Sequence, residues 1–221
     1  MTPHPVMLTP PRPGPAEEGR AIERAALKVF AREGCTRTRL DTVAAEAGVS
    51  VSTLLEHHRD RDRLLLAVVL NSSASVAAAL ADIAERQLSG GGRTDLEADL
   101  VAFGKAWLRP LADFPEHFAL VRQLTAEVER LPADVLEVWR SSGPQRAEQS
   151  LARALRKVAE LGLLDIEDAC GAAERFVLLV AGPVAQRSFH GAVPFTDAET
   201  DALVTRGVRD FLRLYRPATA G

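Results

Sequence analysis

The sequence predicts an all-α protein in which three short N-terminal helices lead into a long helix and then a larger helical part. From residue 16 to residue 214, apolar residues recur at the three- and four-residue spacing of a helix face. Gly34 and Gly48 divide the first part of this pattern into short pieces. Runs that alternate apolar and polar residues, which are typical of strands, are absent from the sequence.

Composition excludes several classes of protein. The chain has 221 residues, of which 47% are apolar, enough for one large domain or two modest ones with a sizeable core. The longest nearly unbroken apolar run, residues 176–185, is about half of the ~20 residues that a membrane span needs, so we expect no membrane partner. The N-terminus lacks the basic and apolar regions of a secretory signal. Cys35 and Cys170 form neither a disulfide framework nor a metal cluster, which favours a cytoplasmic protein without a metal.

The chain begins with a proline-rich segment. Residues 1–15 hold six of the thirteen prolines, and we expect a disordered tail there. The first helix is predicted over residues 16–33 and ends at Gly34, a common residue just past a helix terminus. Thr38 lies three residues before Asp41, a spacing that resembles a capping box and predicts the start of a second helix.

The second helix ends at Gly48, and a third, very short helix follows. Ser50 is its predicted cap, and it runs through His58. Asp60 is the predicted cap of a fourth, long helix over residues 61–88.

The rest of the chain is predicted to be helical as well. Residues 89–93, Ser-Gly-Gly-Gly-Arg, are a flexible connector. We expect Pro183 to kink the helix that contains it. The predicted division is a helix-turn-helix domain at 16–63 and a helical domain at 64–217. The predicted C-terminal helices cover residues 95–113, 115–130, 133–140, 145–161, 167–190 and 197–215.

The third helix has two different faces. Leu54 and His58 are four residues apart and face the core, His58 as a hydrogen-bonded packing residue. The opposite face exposes about two turns, roughly 10 Å of helix, which suits the ~12 Å wide major groove of DNA. This face carries Val51, Ser52, Leu55, Glu56 and Arg59. The arrangement predicts a DNA-reading helix.

Residues 20–70 resemble the DNA-binding domain of the TetR family of bacterial transcriptional regulators. Residues 114–215 resemble, more loosely, the AefR-like ligand-binding and dimerisation domain of that family. The first resemblance rests on Ala25-Ala26-Leu27, Phe30, Glu33-Gly34, Thr38, Val43-Ala44, Ala47-Gly48-Val49-Ser50, Thr53-Leu54, His57 and Leu64. The second rests on Phe114-Pro115, Gly143-Pro144, Gly162-Leu163, Ala172-Ala173-Glu174-Arg175-Phe176 and Phe211-Leu212. The resemblance implies a homodimeric repressor that binds a palindromic operator and is released by a small molecule.

The sequence departs from the family at the reading helix. Family members usually carry Lys-Gly where this chain has Val51-Ser52, a phosphate-contacting Tyr at Leu55, and an aromatic residue at His58. Two polar backbone contacts are therefore missing, and each lost phosphate contact weakens binding.

Charge gives little help to DNA binding. Residues 1–63 hold ten Lys or Arg and nine Asp or Glu, so binding must depend on geometry more than on bulk charge. We expect Val51 and Leu55 to contact thymine methyl groups, and Glu56 to accept from cytosine N4. The remaining expected DNA contacts are Thr38, Arg39, Val49, Ser52, Thr53, His57, Arg59 and Arg61, with Arg12 and Arg37 as additional candidates.

Aromatic residues, which make up only 5% of the chain, fall mostly in the larger part and suggest an effector site between helices. The expected effector is an apolar or amphipathic molecule, with one acidic group as an option. The alternative is that these residues are simply core. The expected ligand-binding residues are Phe103, Trp107, Phe114, His117, Phe118, Arg122, Trp139, Phe176 and Phe189, with Gln123, Gln186 and Arg187 as further polar candidates.

The last two helices are rich in apolar residues and are the expected dimer contact, because two half-sites require two reading helices. The alternative is that they pack only within one chain. The expected interface residues are Phe176, Leu179, Val180, Val184, Arg187, Val204, Val208, Phe211, Leu212 and Tyr215.

Catalytic motifs are missing from the sequence. It contains no G-x-S-x-G, H-E-x-x-H, C-x-x-C or Walker pattern, so we expect neither an enzyme nor a cofactor. Two functions stay open: a ligand-responsive DNA-binding repressor, or a helical ligand-binding or interaction module that has lost its operator. Activation is not separable from repression by sequence.

Overall fold

The computed structural model describes residues 14–88 and 95–217. Residues 1–13, which include Arg12, and the connector at 89–93 therefore lie outside the described residues. Every regular element in the described ranges is helical, and the predicted all-α fold is confirmed.

Four helices form the N-terminal part. They are α1 (Pro15–Glu33), α2 (Leu40–Ala47), α3 (Val51–His57) and α4 (Arg61–Leu88). Eight helices follow: α5 (Leu96–Leu108), α6 (Pro110–Asp113), α7 (Pro115–Ala126), α8 (Ala133–Ser142), α9 (Pro144–Glu160), α10 (Ala169–Phe176), α11 (Gly182–Arg187) and α12 (Asp197–Tyr215). A 3₁₀ turn at Val128–Arg130 follows α7, and a π-helical turn at Val177–Ala181 joins α10 to α11.

Two of the three predicted helix caps are present. The Ser50 hydroxyl accepts the backbone N–H of Thr53 at 3.0 Å, and an Asp60 carboxylate oxygen accepts the backbone N–H of Arg63 at 2.8 Å. The capping box predicted for Thr38 is wrong. Thr38 is buried and its hydroxyl donates to the carbonyl of Gly34 at 2.7 Å, while Arg39 takes the N-cap position of α2 without a side-chain hydrogen bond.

The N-terminal helices share a core with α7 and α8. Phe30 of α1 and Leu54 of α3 are fully buried in it. Leu120 and Leu124 of α7 and Val135 of α8 belong to the same cluster. The reading helix is therefore supported by a core that includes helices of the larger part of the chain.

A second core fills the larger part. It surrounds Phe103, Phe176 and Phe211 and is built mainly from α5, α9, α10 and α12. The helix predicted over 167–190 is interrupted by the π-helical turn, which ends two residues before Pro183. Proline has no N–H, so this residue cannot donate to the carbonyl four residues earlier.

Helix α4 runs from the reading helix into the second core. An 18-residue window of this helix has a mean hydropathy of 2.0, so by length and composition alone it could cross a membrane. The search for an unbroken apolar run missed this window, because Asn71, Ser72 and Ser73 interrupt the run. The helix packs against α1, α5, α8 and α9, as expected for the core helix of a helical bundle.

Candidate DNA-binding surface

Helix α3 presents a small, mostly uncharged surface to solvent. Leu54 anchors it in the core, while Val51 and Leu55 keep 40% and 39% of their surface exposed. Ser52 and Glu56 are exposed as well, as the sequence predicted. When such a face enters a DNA groove, the carboxylate of Glu56 is the one charge of these four side chains that would be buried.

Hydroxyl groups stabilise the first turn of α3. The Ser50 hydroxyl lies 2.7 Å from the Ser52 hydroxyl and 2.8 Å from the Thr53 hydroxyl. Because hydroxyls both donate and accept, Ser52 and Thr53 keep hydrogen-bonding capacity for a base edge or a phosphate. Arg59, just after the helix, is exposed and has no ion-pair partner among residues 14–88 and 95–217.

Several of the expected phosphate contacts have partners within the chain. Thr38 is buried, so a direct contact from its side chain is excluded and the prediction is corrected on that point. Arg39 donates to the carboxylate of Asp41 at 2.8 Å but stays exposed. The Arg61 guanidinium donates to the carbonyl of Thr36 at 2.6 Å, which ties the start of α4 to the turn between α1 and α2.

Two adjacent histidines fix the end of α3 against α1. The Nε2 of His57 lies 3.2 Å from an oxygen of Glu18. The Nε2 of His58 lies 3.7 Å from an oxygen of Glu23 and has no hydrogen-bond partner, contrary to the sequence prediction. Burial lowers the pKa of His58, against the opposing charge of Glu23. Val49, another expected DNA contact, is half-buried and packs against the N-terminal core.

Three of the expected effector-site aromatics fill the second core. The ring centroids of Phe103 and Trp107 are 5.5 Å apart, and those of Phe103 and Phe176 are 5.3 Å apart. All three side chains are buried and belong to the same core cluster. This packing favours the alternative that these residues are simply core, and their assignment to an effector site stays a prediction.

The other expected effector residues are scattered. His117 is buried, with Nδ1 3.2 Å from the hydroxyl of Ser72, and burial lowers its pKa to about 4. Arg122 donates to the carbonyl of His190 at 2.8 Å, and Phe189 is 65% exposed. Trp139 lines a cavity of about 160 Å³ between α7 and α8.

The remaining candidates in this group have different surroundings. Phe118 packs edge-on against His117, with ring centroids 5.0 Å apart, and Phe114 is half-buried at the start of α7. Gln123 donates to the carbonyl of Ala31 at 3.3 Å, and Gln186 is exposed. These side chains do not converge on one cavity in the described residues.

Most residues expected at the dimer contact are already inside one chain. The buried ones, which cannot form a contact surface in this conformation, are Phe176, Val180, Val184, Val204, Val208, Phe211 and Leu212. For these the structure favours the alternative of packing within one chain. Leu179 and Tyr215 are half-buried and Arg187 is exposed. Leu178, which is 62% exposed, was not among the expected residues, because it stands within a continuous apolar run.

The family models match most of the chain. Residues 22–68 match the model described as bacterial regulatory proteins, tetR family. Residues 98–217 match the model of the C-terminal domain of the AefR-like transcriptional repressor. The chain belongs to the TetR family.

Solved structures share the TetR-family fold. A protein from Mesorhizobium loti assigned to the TetR-family transcriptional regulators has a TM-score of 0.82 and 24% identity, over 93% of this chain and 100% of that chain. The flavonoid-responsive regulator FrrA has a TM-score of 0.69 and 24% identity, over 92% and 100%. A transcriptional regulator from Pseudomonas aeruginosa PAO1 has a TM-score of 0.71 and 22% identity, over 92% and 93%. At these identities the likeness shows the fold alone. A search of curated proteins gave no significant match.

In a TetR-family protein, the position of Leu55 is where the resemblance implies a phosphate-contacting Tyr. The structure leaves this side chain on the outer face of α3. Leu55 therefore differs from the implied Tyr in its side-chain chemistry, while its place on the outer face of α3 is the same.

Proposed function

We propose that this TetR-family regulator is a cytoplasmic homodimer that binds a palindromic operator and represses transcription until a small amphipathic molecule releases it. The observation that carries the proposal is the outward face of α3, where Val51, Ser52 and Leu55 stand on a buried anchor, Leu54. A helix held in this way fits the major groove.

Base reading is proposed to depend on few contacts. Val51 and Leu55 meet thymine methyl groups, Ser52 and Thr53 bond to base edges or phosphate, and Glu56 accepts from cytosine N4. Arg39 and Arg59 are exposed and provide the phosphate contacts. Arg39 would leave the carboxylate of Asp41 and bind a phosphate oxygen in its place. Because these cations are few, the salt dependence of binding is expected to be shallow.

The dimer is proposed to form through the exposed side of α10, α11 and their π-helical turn. Leu178 is an exposed apolar side chain on that side. Replacing it with Glu would bury an unpaired charge in the interface and separate the protomers. Light scattering after gel filtration tests this, with Leu161→Glu as the control, because Leu161 is a similarly exposed leucine outside α10 and α11. A Leu178→Glu protein that keeps the dimer mass removes this surface from the proposal.

The effector is proposed to be amphipathic. The model matched by residues 98–217 is that of an AefR-like repressor, and FrrA is described as flavonoid-responsive, which supports a small-molecule response in this chain. Effector binding would act on the shared core that links α7 and α8 to the reading helix.

Gel-shift binding to DNA upstream of the protein's own or neighbouring gene tests the function. Sequence-dependent retention at nanomolar protein, lost in Leu55→Glu, is the expected result, because a second carboxylate beside Glu56 repels phosphate. Equal binding to scrambled DNA would favour the alternative, a helical module that has lost its operator. The buried Thr38 and the intrachain partner of Arg61 are the observations that keep this alternative open.

A further inference from the structure

An open groove of about 590 Å³ runs between α1 and α4. Leu27 of α1 and Val68, Ala74 and Ala78 of α4 supply its apolar surface. The volume lies within the range of small-molecule sites, which are mainly apolar with a few convergent polar groups.

Two unpaired cations stand on one wall of this groove. Arg20 and Arg24 are one helical turn apart on α1, and both are exposed. Within residues 14–88 and 95–217 neither guanidinium has a carboxylate within ion-pair distance. The groove also contains the carboxylate of Glu23, which accepts a hydrogen bond from the Asn71 amide at 2.6 Å. The groove is net positive, and its one acidic group already has a donor.

The polar groups of the groove connect it to the reading helix and to α7. Glu23, besides its bond to Asn71, lies 3.7 Å from the Nε2 of His58 at the end of α3. Ser72, on the α4 side, lies 3.2 Å from the Nδ1 of His117 on α7. A molecule seated here would touch side chains that join α1 to α4, α1 to the end of α3, and α4 to α7.

We infer that the groove binds an amphipathic monoanion, with its acidic group at Arg20 and Arg24 and its apolar body along Leu27, Val68 and Ala78. Guanidinium groups are suited to carboxylate and sulfonate oxygens, because they donate several hydrogen bonds in a planar fork. The site differs from the aromatic cluster of the second core, which is filled. The regulatory consequence, weaker operator binding when the groove is occupied, rests on the proposed function, whereas the binding itself does not.

Fluorescence titration of the full chain tests the site with two probes that differ in charge. The probes are 1-anilinonaphthalene-8-sulfonate and its neutral analogue N-phenyl-1-naphthylamine. We expect one saturable sulfonate site per chain and weaker binding of the neutral probe. Arg20→Gln/Arg24→Gln should raise the Kd of the sulfonate roughly tenfold or more, as for a lost charged hydrogen bond, and remove its advantage over the neutral probe.

Two further variants locate the bound probe. Ala78→Trp fills the groove from an exposed position and should abolish saturable binding. Arg146→Gln/Arg156→Gln removes two exposed arginines of α9 and should change nothing. Unchanged thermal unfolding shows that a variant is folded. If Ala78→Trp does not fold, the Arg20→Gln/Arg24→Gln protein alone decides whether the probe binds in the groove.

Three results would overturn the inference. The first is the absence of a saturable sulfonate site, and the second is an unchanged Kd in the Arg20→Gln/Arg24→Gln protein. The third is binding that appears only after deletion of residues 1–13, since the N-terminal segment would then be the occupant of the groove. The operator assay separates the two proposals. Saturable, arginine-dependent binding without any operator binding contradicts the proposed function and leaves the groove site standing.

Discussion

The carboxylate of Glu127, just after α7, accepts a hydrogen bond from the backbone N–H of Thr36 at 2.7 Å. Thr36 lies in the turn between α1 and α2, so a side chain of the larger part of the chain holds a loop of the helix-turn-helix. Burial alone would raise the pKa of Glu127, but hydrogen bonds from Thr36 and Cys35 and the charge of Arg37 outweigh it and lower this pKa. Gly34 allows the approach, because a methyl group there would overlap the Glu127 carboxylate.

Replacing Glu127 with Gln should weaken this junction. The neutral amide still accepts a hydrogen bond but loses the charge, so the free energy of unfolding should fall by about 1 kcal/mol, the difference between a charged and a neutral hydrogen bond. Because the folded-state pKa is lowered, the carboxylate stabilises the protein above its unfolded pKa and this contribution is lost as the pH falls below it. Urea unfolding at pH 7 measures the difference, with Glu129→Gln at an exposed neighbouring position as the control. Equal losses in both variants would show that Glu127 has no special role.

Restoring a family-like side chain should strengthen DNA binding. In the Leu55→Tyr variant a phenol hydroxyl becomes available on the outer face of α3, where the resemblance implies a phosphate contact. A hydrogen bond to a charged group is worth about 1.5–3 kcal/mol, so the Kd for the operator should fall roughly tenfold or more. Leu55→Phe adds the ring without the hydroxyl and separates the apolar from the polar effect. If both variants bind the operator equally tightly in a gel shift at fixed salt, the side chain at position 55 does not face the phosphate backbone.

The sequence predicted local structure well because its signals are local. The caps at Ser50 and Asp60 and the outward face of α3 follow from spacing along one helix. In the larger part of the chain, the sequence did not predict which apolar side chains are buried and which are exposed. Phe103 and Leu178 both stand in apolar helices, yet one is buried and the other exposed, because burial depends on which helices pack together.

Hydrogen bonds between residues far apart in the chain were not predictable from the sequence either. The bond from Thr36 to Glu127 joins residues 91 positions apart, and no motif marks either of them. Thr38 was mispredicted for a different reason, because its hydroxyl bonds to the carbonyl of Gly34 four residues earlier and the capping spacing did not reveal this local alternative.

The buried ring of His117 should make stability depend on pH. Burial lowers its pKa to about 4, so the folded protein favours the neutral ring. This stabilisation is complete above the unfolded pKa of about 6.5 and is lost as the pH falls toward the folded value. Between pH 7.5 and pH 5 the free energy of unfolding should fall by about 2 kcal/mol from this residue alone. His117→Gln, which does not titrate, should show a shallower fall in urea unfolding. Parallel curves for both proteins would contradict the assignment.

Helix α12 crosses the π-helical turn at Gly207, where a methyl group would overlap the carbonyl oxygen of Leu179. Gly207→Ala should therefore destabilise the protein by about 1–3 kcal/mol through overpacking. At Gly182 a methyl group would lie 3.5 Å from the carbonyl of Val177, an ordinary contact, and the backbone is helical. Gly182→Ala should have a smaller effect, because the gain of about 1 kcal/mol from helix propensity is offset by the contact of the new Cβ with Pro183. Thermal unfolding compares the two, and equal shifts in Tm would argue against the close crossing.

A hydroxyl-radical footprint on the DNA upstream of the protein's own gene tests most directly whether paired α3 helices read an operator. The expected result is two protected half-sites related by symmetry, with centres about 34–36 Å apart, one turn of the duplex. Protection should disappear in Leu55→Glu while the dimer mass is retained. A single protected segment, or protection that scrambled DNA shows equally, would contradict the account.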